Sequence, residues 1–216
     1  VQINGIVNEY IHVEKPDQEA VPSRQFDISK IDFDLLSREF AHTRRKNLLL
    51  RDLDELVNQQ LAKMLFANPQ RIDYYDRYQE IIDAYNAEQN RATIEKTFMD
   101  LMELASSLDT EQQRYVREGF SSDEELSVYD LLFSENLTKQ EIETIKKVSV
   151  DLLTKIKQQI AKLDHWTDKQ ETKAIVDNLI RNTLWQELPN SYDVSDIQTY
   201  QKKIYEYVYM RYPEVA

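Results

Sequence analysis

The stretch DHWTDKQETK, from Asp164 to Lys173, contains the residue types of a metal-dependent nuclease. Glu171 and Lys173 have the E-x-K spacing found in many such enzymes, and Asp164 precedes them. That spacing brings a carboxylate and an amine to one metal ion on a strand, where alternate side chains share a face. On a helix, residues two apart lie about 200° apart around the axis. The chemistry therefore depends on the element that carries these residues.

The surrounding residues favour a helix. Thr167 and Gln170 have the spacing of a capping box, in which two side chains bind backbone N–H groups at a helix start. We therefore predict that Thr167 caps a helix, with a loss of about 1 kcal/mol in Thr167→Ala, and we reject the nuclease interpretation. Trp166 would precede the cap, but its local packing partner would be the polar Glu171. Trp166 must then pack against a more distant helix or a partner.

Other catalytic motifs do not occur in the sequence. The two glycines, Gly5 and Gly119, cannot supply a P-loop, and there is no G-x-S-x-G elbow. Cysteine is absent and the three histidines are far apart, which argues against a zinc site. Paired acids such as Asp123 and Glu124 fit the first turn of a helix, where they complement its dipole. We expect no catalytic residue, no metal and no cofactor in this chain.

Composition indicates an all-α fold. The chain has 216 residues, 41% of them hydrophobic, while two glycines and five prolines leave little turn chemistry for strands. Recurrent helical periodicity predicts an irregular multi-helix bundle of about eight to nine helices. Helix boundaries are indicated by capping patterns at Asn68-Pro69, Ser122/Glu125, Thr138/Glu141, Thr167/Gln170 and Ser195/Gln198, by a looser one at Asp109/Gln112, and by Gly119 as a helix stop.

Three segments are predicted along the chain. Residues 1–30 lack a helical period and are expected to form an irregular tether from an upstream part of the protein, residues 31–108 a helical subdomain, and residues 109–216 a C-terminal helical subdomain. The start at Val1 suggests a fragment. No apolar run approaches the roughly 18 residues that span a bilayer. We expect a cytoplasmic protein that does not bind membranes.

The net charge of −12 is unevenly distributed. Residues 98–136 contain ten acidic against two basic residues, whereas residues 138–181 contain seven against nine. The first segment should repel a phosphate backbone and the second could tolerate one. Ordinary solvated helix faces are the favoured explanation of both segments.

Aromatic residues near the C-terminus are the candidate partner-binding residues, because tyrosine and tryptophan combine large contact area with a polar tip. One row of the last helix is expected to be core: Ile197, Tyr200, Ile204 and Tyr207. A second row, with Trp166, is expected to contact a partner: Tyr205, Tyr209 and Tyr212.

Three basic runs are weaker candidates for DNA binding. Arg44, Arg45 and Lys46 lie near a predicted helix end, where cations also complement the C-terminal dipole. Lys146 and Lys147 form the second run, and Lys202-Lys203 forms the third. Lysine pairs of this kind are common on solvated faces.

Several segments, in order, carry a resemblance to a known family: IDFDLLSREF (31–40), EQQ leading into RYVREGF (111–120), EELSVYDLL (124–132), DHWTDKQETK (164–173), LWQELP (184–189) and YEYVYMRYP (205–213). Together they resemble the C-terminal helical region of the R (motor) subunit of type I restriction-modification enzymes. The resemblance covers nearly the whole chain.

The resemblance implies a parent subunit with an upstream nuclease domain and RecA-like motor domains, which uses ATP and Mg²⁺ to translocate double-stranded DNA before cutting it. No ATPase or nuclease residue can be carried over onto this chain. The resemblance also implies that these helices dock the motor onto the methyltransferase and specificity subunits. The alternatives are an unrelated all-α scaffold or adaptor, and an accessory DNA-binding domain.

Overall fold

The structure is a computed structural model that describes residues 31–88 and 90–213, so the expected tether at residues 1–30 lies outside it. The described residues form nine α-helices and no strand, which confirms the predicted all-α class. The helices are α1 (Phe33–His42), α2 (Lys46–Ala67), α3 (Ile72–Ala87), α4 (Arg91–Gln112), α5 (Arg114–Arg117), α6 (Asp123–Leu132), α7 (Lys139–Ile160), α8 (Gln170–Glu187) and α9 (Val194–Arg211), with a 3₁₀ turn at Pro69–Arg71.

The chain divides into two compact units, one ending at Arg114 and the other beginning at Tyr115. The expected boundary between residues 108 and 109 falls inside α4, and so does the looser capping pattern at Asp109/Gln112. The helix continues to Gln112 because Leu108 and Glu111 both face the interior of the first unit.

In the first unit, α2 and α3 pack on α4, and the contacts of α1 with the core include a stacked ring pair. The Phe40 and Phe98 rings are parallel, with centroids 3.6 Å apart. The apolar positions of α2 and α4 recur at helical spacing and are buried: Leu53, Val57, Leu61, Met64, Phe98, Leu101, Ala105 and Leu108.

The second unit is built on a four-helix arrangement of α6 to α9. Contacts join α6 to α7, α7 to α8 and α8 to α9, and α9 returns to α6. The expected inner row of α9 is largely confirmed, because Ile197, Ile204 and Tyr207 are buried while Tyr200 is half-buried. These side chains share the core with buried residues of the other three helices: Leu126, Leu132, Ile145, Leu152, Ile156, Val176, Ile180 and Leu184.

Several predicted helix boundaries are confirmed. Thr138 and Glu141 form a complete capping box at the start of α7. The Ser122 side chain caps α6 by accepting a hydrogen bond from the Glu125 N–H. At Asn68, the side chain accepts from the Gln70 N–H and caps the 3₁₀ turn.

Gly119 ends the short helix α5, as predicted, with a left-handed φ of 84°. Its N–H donates to Val116 O at 3.1 Å, and the Phe120 N–H donates to Tyr115 O at 2.8 Å. These are the paired bonds of a Schellman motif, which favours glycine because the residue after the helix needs a positive φ.

Two predicted helix starts are wrong. Helix α8 begins at Gln170 after Lys169 rather than at Thr167, because the Thr167 hydroxyl is bound to a different segment: it donates to Pro213 O at 3.3 Å. Helix α9 begins two residues earlier than Ser195 implies. Its capping box is made by Asp193 and Asp196, because aspartate is among the best N-cap residues and Ser195 instead donates to the Asp193 carboxylate.

We expect Thr138→Ala to lower the free energy of unfolding of the domain by about 1 kcal/mol, the usual cost of losing a capping hydroxyl. Thr154→Ala is the matched control because Thr154 is exposed within the same helix. There, alanine should be neutral or slightly stabilising. Chemical denaturation measures both variants, and equal losses would contradict the capping role of Thr138.

Candidate functional site

Trp166 is the centre of an aromatic cluster in the second unit. It lies in the connection between α7 and α8 and is 1% exposed. Its indole Nε1–H donates to Tyr212 O at 2.6 Å. The rings of Tyr205 and Tyr209 meet it edge-on, at centroid distances of 6.2 and 5.7 Å. This confirms that Trp166 packs against residues distant in sequence.

The connection around Trp166 is fixed by hydrogen bonds at both ends. His165 takes a left-handed φ of 46°, and the Asp168 N–H closes a turn onto His165 O at 3.0 Å. Thr172, in the first turn of α8, donates to Trp166 O at 2.8 Å. With the bonds to Tyr212 and Pro213, the loop holds the end of α9 in place.

Tyr205 and Tyr209 form the part of this cluster that reaches solvent. Their rings stack at 6.2 Å, and Tyr209 is 39% exposed. Burial, followed by the nearby Asp177 carboxylate and Tyr209, raises the pKa of Tyr205, so its phenol stays neutral. The Lys173 ammonium lies 5.7 Å from the Tyr209 ring centroid, within cation–π distance.

Trp166 and Tyr212 lie on the buried side of this surface and support it. The burial of Trp166 leaves its indole unable to contact a partner directly, which corrects the prediction that Trp166 is a partner-binding residue. Tyr212 is half-buried, its carbonyl is bound by the indole, and the Lys157 ammonium lies 5.3 Å from its ring centroid. Burial, with the neighbouring Tyr207 and Glu124, raises the pKa of Tyr212.

Glu124 joins the start of α6 to the ends of α7 and α9. Lys157 binds one of its carboxylate oxygens, and an Arg211 nitrogen lies 3.8 Å from the other. Partial burial raises the pKa of Glu124. The hydrogen bond and charge of Lys157, together with Tyr212 and Arg211, outweigh burial and hold the pKa below its ordinary value of 4.5. Glu124 thus forms ion pairs that join three helices beside the aromatic cluster.

The first predicted basic run is divided between two structural settings. Arg44 and Arg45 are exposed in the connection between α1 and α2. Lys46 begins α2, so it lies at a helix N-terminus and gains nothing from that helix's dipole. It donates to the Glu95 carboxylate at 2.6 Å and lies over the Phe40 ring. Lys46 therefore contributes to packing within the first unit.

The second run is divided in the same way. Lys146 donates to Glu118 O at 3.0 Å and to its carboxylate at 3.1 Å, so it caps the end of α5. Lys147, the next residue, is exposed. On α9, Lys202 is 71% exposed with a Glu206 oxygen at 4.0 Å, and Lys203 lies over the Tyr200 ring.

Glu171 and Lys173 lie on α8, the element that the sequence argument required. Their side chains diverge around the helix axis, and Lys173 contacts the Tyr209 ring instead of a carboxylate pair. In the described part of the chain, no group of three His, Asp or Glu side chains could hold a metal ion. Within residues 31–88 and 90–213, no helix is long and apolar enough to cross a membrane.

A family comparison decides the class of the chain. The family described as "Type I restriction enzyme HindI endonuclease subunit-like, C-terminal" matches residues 18–212. The chain belongs to this family. No curated protein and no solved structure gives a significant match. The alternative of an unrelated scaffold or adaptor is therefore wrong, and the domain is the C-terminal part of a type I restriction endonuclease subunit.

Trp185 is a prominent surface residue of this endonuclease-subunit domain. The contact residues predicted from the sequence did not include it. It is 59% exposed on α8, nine residues after the buried Val176. At ~100° per residue this places it about 180° from Val176 around the axis. The same periodicity that identifies the buried face of α8 could have identified Trp185 as outward-facing.

We expect Trp166→Ala to destabilise the domain by about 3–5 kcal/mol, since it removes a large buried ring and leaves a cavity. Trp185→Ala is the matched control because the chain has two tryptophans and Trp185 is 59% exposed. It should change stability by less than about 0.5 kcal/mol. Denaturant unfolding measures both. Similar losses in the two variants would contradict the supporting role of Trp166.

The lowered pKa of Glu124 predicts an acid-dependent loss of stability. Because the unfolded chain binds the proton more tightly, the stabilisation by Glu124 is complete above the ordinary carboxyl pKa of 4.5 and is lost as pH falls through the lower folded value. Glu124→Gln should therefore be less stable than wild type at pH 7, and the difference should shrink below about pH 4.5. The control is Glu135→Gln, which changes an exposed carboxylate between α6 and α7. If the stability difference between Glu124→Gln and wild type does not vary with pH, the ion-pairing role of Glu124 is wrong.

Proposed function

We propose that this domain docks the endonuclease subunit onto the methyltransferase core of a type I restriction enzyme, formed by its methyltransferase and specificity subunits. The observation that carries the proposal is the Tyr205–Tyr209 pair, which reaches solvent on a buried Trp166 base. The domain's own role in this proposal is non-catalytic. ATP and Mg²⁺ act elsewhere in the endonuclease subunit, where double-stranded DNA is translocated and cut.

Rigid aromatic side chains suit such a role. Tyrosine gives a large contact area at a low cost in conformational entropy, and interface hot spots are enriched in tyrosine, tryptophan and arginine. The edge-on contacts with Trp166 hold Tyr205 and Tyr209 before any partner arrives. Preorganised side chains lose less freedom on binding, which improves affinity without added contact area.

The distribution of charge favours a protein partner over free DNA. DNA binding requires clustered cations that replace counterions, and it weakens steeply with salt. Here the segment 98–136 has an excess of eight negative charges, from ten acidic and two basic residues. Lys46 and Lys146 are engaged by Glu95 and Glu118. Arg44 and Arg45, which are exposed, support DNA contact as the second candidate function.

The test mixes the endonuclease subunit with its cognate methyltransferase, with free duplex DNA, and with both, at low and moderate salt. We expect binding to the methyltransferase with a shallow salt dependence. Tyr209→Ala should weaken it by about 2 kcal/mol, the loss typical of an interface hot spot. Phe133→Ala is the matched control, because Phe133 is 42% exposed and Tyr209 is 39% exposed.

Thermal denaturation of each variant distinguishes a weakened interface from impaired folding. The docking proposal is wrong if the subunit ignores the methyltransferase at both salts yet binds DNA with a steep salt slope. In that case Arg44 and Arg45 become the leading site, and reversing their charge should reduce the slope by about one unit for each phosphate that is no longer neutralised.

A further inference from the structure

Trp185 is an exposed apolar side chain at the end of a row of residues on α8, and this row distinguishes it from other exposed apolar side chains. A single exposed apolar side chain is ordinary on a protein surface. Trp185, however, is the last of four residues at four-residue spacing on α8, after Lys173, Asp177 and Arg181. Side chains at this spacing are neighbours and form one ridge along a helix.

This ridge begins against the tyrosine pair. The Lys173 ammonium lies over the Tyr209 ring at 5.7 Å, and the Asp177 carboxylate accepts a hydrogen bond from Gln201 of α9 at 2.8 Å. Each four-residue step turns the ridge by about 40° around the axis. It therefore moves away from α9 toward solvent and ends on Trp185, which is 59% exposed.

The ridge and the adjoining part of α9 are cationic in a chain whose net charge is −12. Lys173, Arg181 and Lys202 supply three positive charges against the two carboxylates of Asp177 and Glu206, and α8 has no acidic residue between Asp177 and Glu187. Asp177 is engaged by Gln201, while Glu187 accepts from Lys155 of α7 at 2.5 Å. The end of the ridge around Arg181 and Trp185 is therefore positive, which is complementary to an acidic partner.

We propose that Trp185 and Arg181 form a second anchor of the docking surface, and that the methyltransferase side presents an acidic patch beside an apolar pocket that receives the indole. This inference rests on the proposed docking function. Lys173 and Trp185 are twelve residues apart, or roughly 18 Å along the helix at ~1.5 Å per residue. An interface of about 800 Å² per partner is roughly 30 Å across, so the axial distance fits within one. The three steps also turn the ridge by about 120°, so a partner that reaches both anchors wraps around α8.

A protein pocket suits this anchor better than nucleic acid. An indole that projects from a helix can be enclosed by a pocket, and tryptophan and arginine are the residues most enriched at interface hot spots. Duplex DNA offers no such pocket. A single strand could stack a base on the indole, so the experiment includes one.

The experiment measures affinity of the complete endonuclease subunit for its cognate methyltransferase and for a single-stranded oligonucleotide. Trp185→Ala should weaken methyltransferase binding about 25-fold, the equivalent of a 2 kcal/mol hot spot at 1.4 kcal/mol per tenfold. Ile175→Ala is the matched control, since Ile175 is 38% exposed on the same helix but lies off the ridge. Arg181→Glu should also weaken binding, most strongly at low salt, whereas Lys147→Glu on α7 should not.

The outcomes separate this inference from the function on which it rests. If the wild type binds and Tyr209→Ala weakens binding, but Trp185→Ala matches Ile175→Ala, the second anchor is wrong and docking stands. If the wild type does not bind the methyltransferase, both fail. Loss of oligonucleotide binding in Trp185→Ala, with methyltransferase binding unchanged, would assign the residue to nucleic acid and overturn the inference. Because Trp185 is exposed, an unchanged thermal midpoint should accompany its loss of binding.

Discussion

Trp166 joins its own loop to α9 and to the start of α8, and the aromatic surface depends on it. Its indole N–H donates to the carbonyl of Tyr212 just after α9, its ring supports Tyr205 and Tyr209, and its backbone carbonyl accepts from Thr172 at the start of α8. A buried ring with a satisfied polar atom fixes both position and direction. The loop between α7 and α8 is therefore a structural part of the surface, although its sequence first suggests catalysis.

Ion pairing divides the lysines of this domain into two groups with different roles. Lys46, Lys146 and Lys157 are bound to carboxylates and aromatic rings that join helices within their own unit. A lysine held in this way has already exchanged part of its hydration for an internal partner, so binding a phosphate would require breaking the existing ion pair. Basic runs in a sequence overestimate the cations available to DNA. In both runs with an engaged lysine, the adjacent residue, Arg45 or Lys147, is the exposed one.

Periodicity and capping chemistry were sufficient to predict most of the fold. The all-α class, the buried row of α9 and the caps at Ser122 and Thr138 are indicated by spacings within a few residues, which a sequence displays directly. The error at Ser195 is local, since Asp193 is a competing cap two residues earlier. The errors at Thr167 and Asp109 have another cause. Thr167 is bound to Pro213, and α4 is prolonged by the burial of Leu108 and Glu111. Such contacts join residues distant in sequence, so local patterns cannot reveal them.

The same distinction explains what the sequence could tell about the candidate site. Tyr205 and Tyr209 were identifiable as a second aromatic row on α9, but the row alone does not distinguish a contact residue from its support. That distinction came from the position of Trp166 beneath them. On α8, the E-x-K spacing drew attention to Glu171 and Lys173 for a chemistry that requires a strand. A helix instead links Lys173 with Asp177, Arg181 and Trp185 at four-residue intervals. The period of the element, more than the identity of its residues, therefore determines whether this stretch can hold a metal ion or present a continuous surface to a partner.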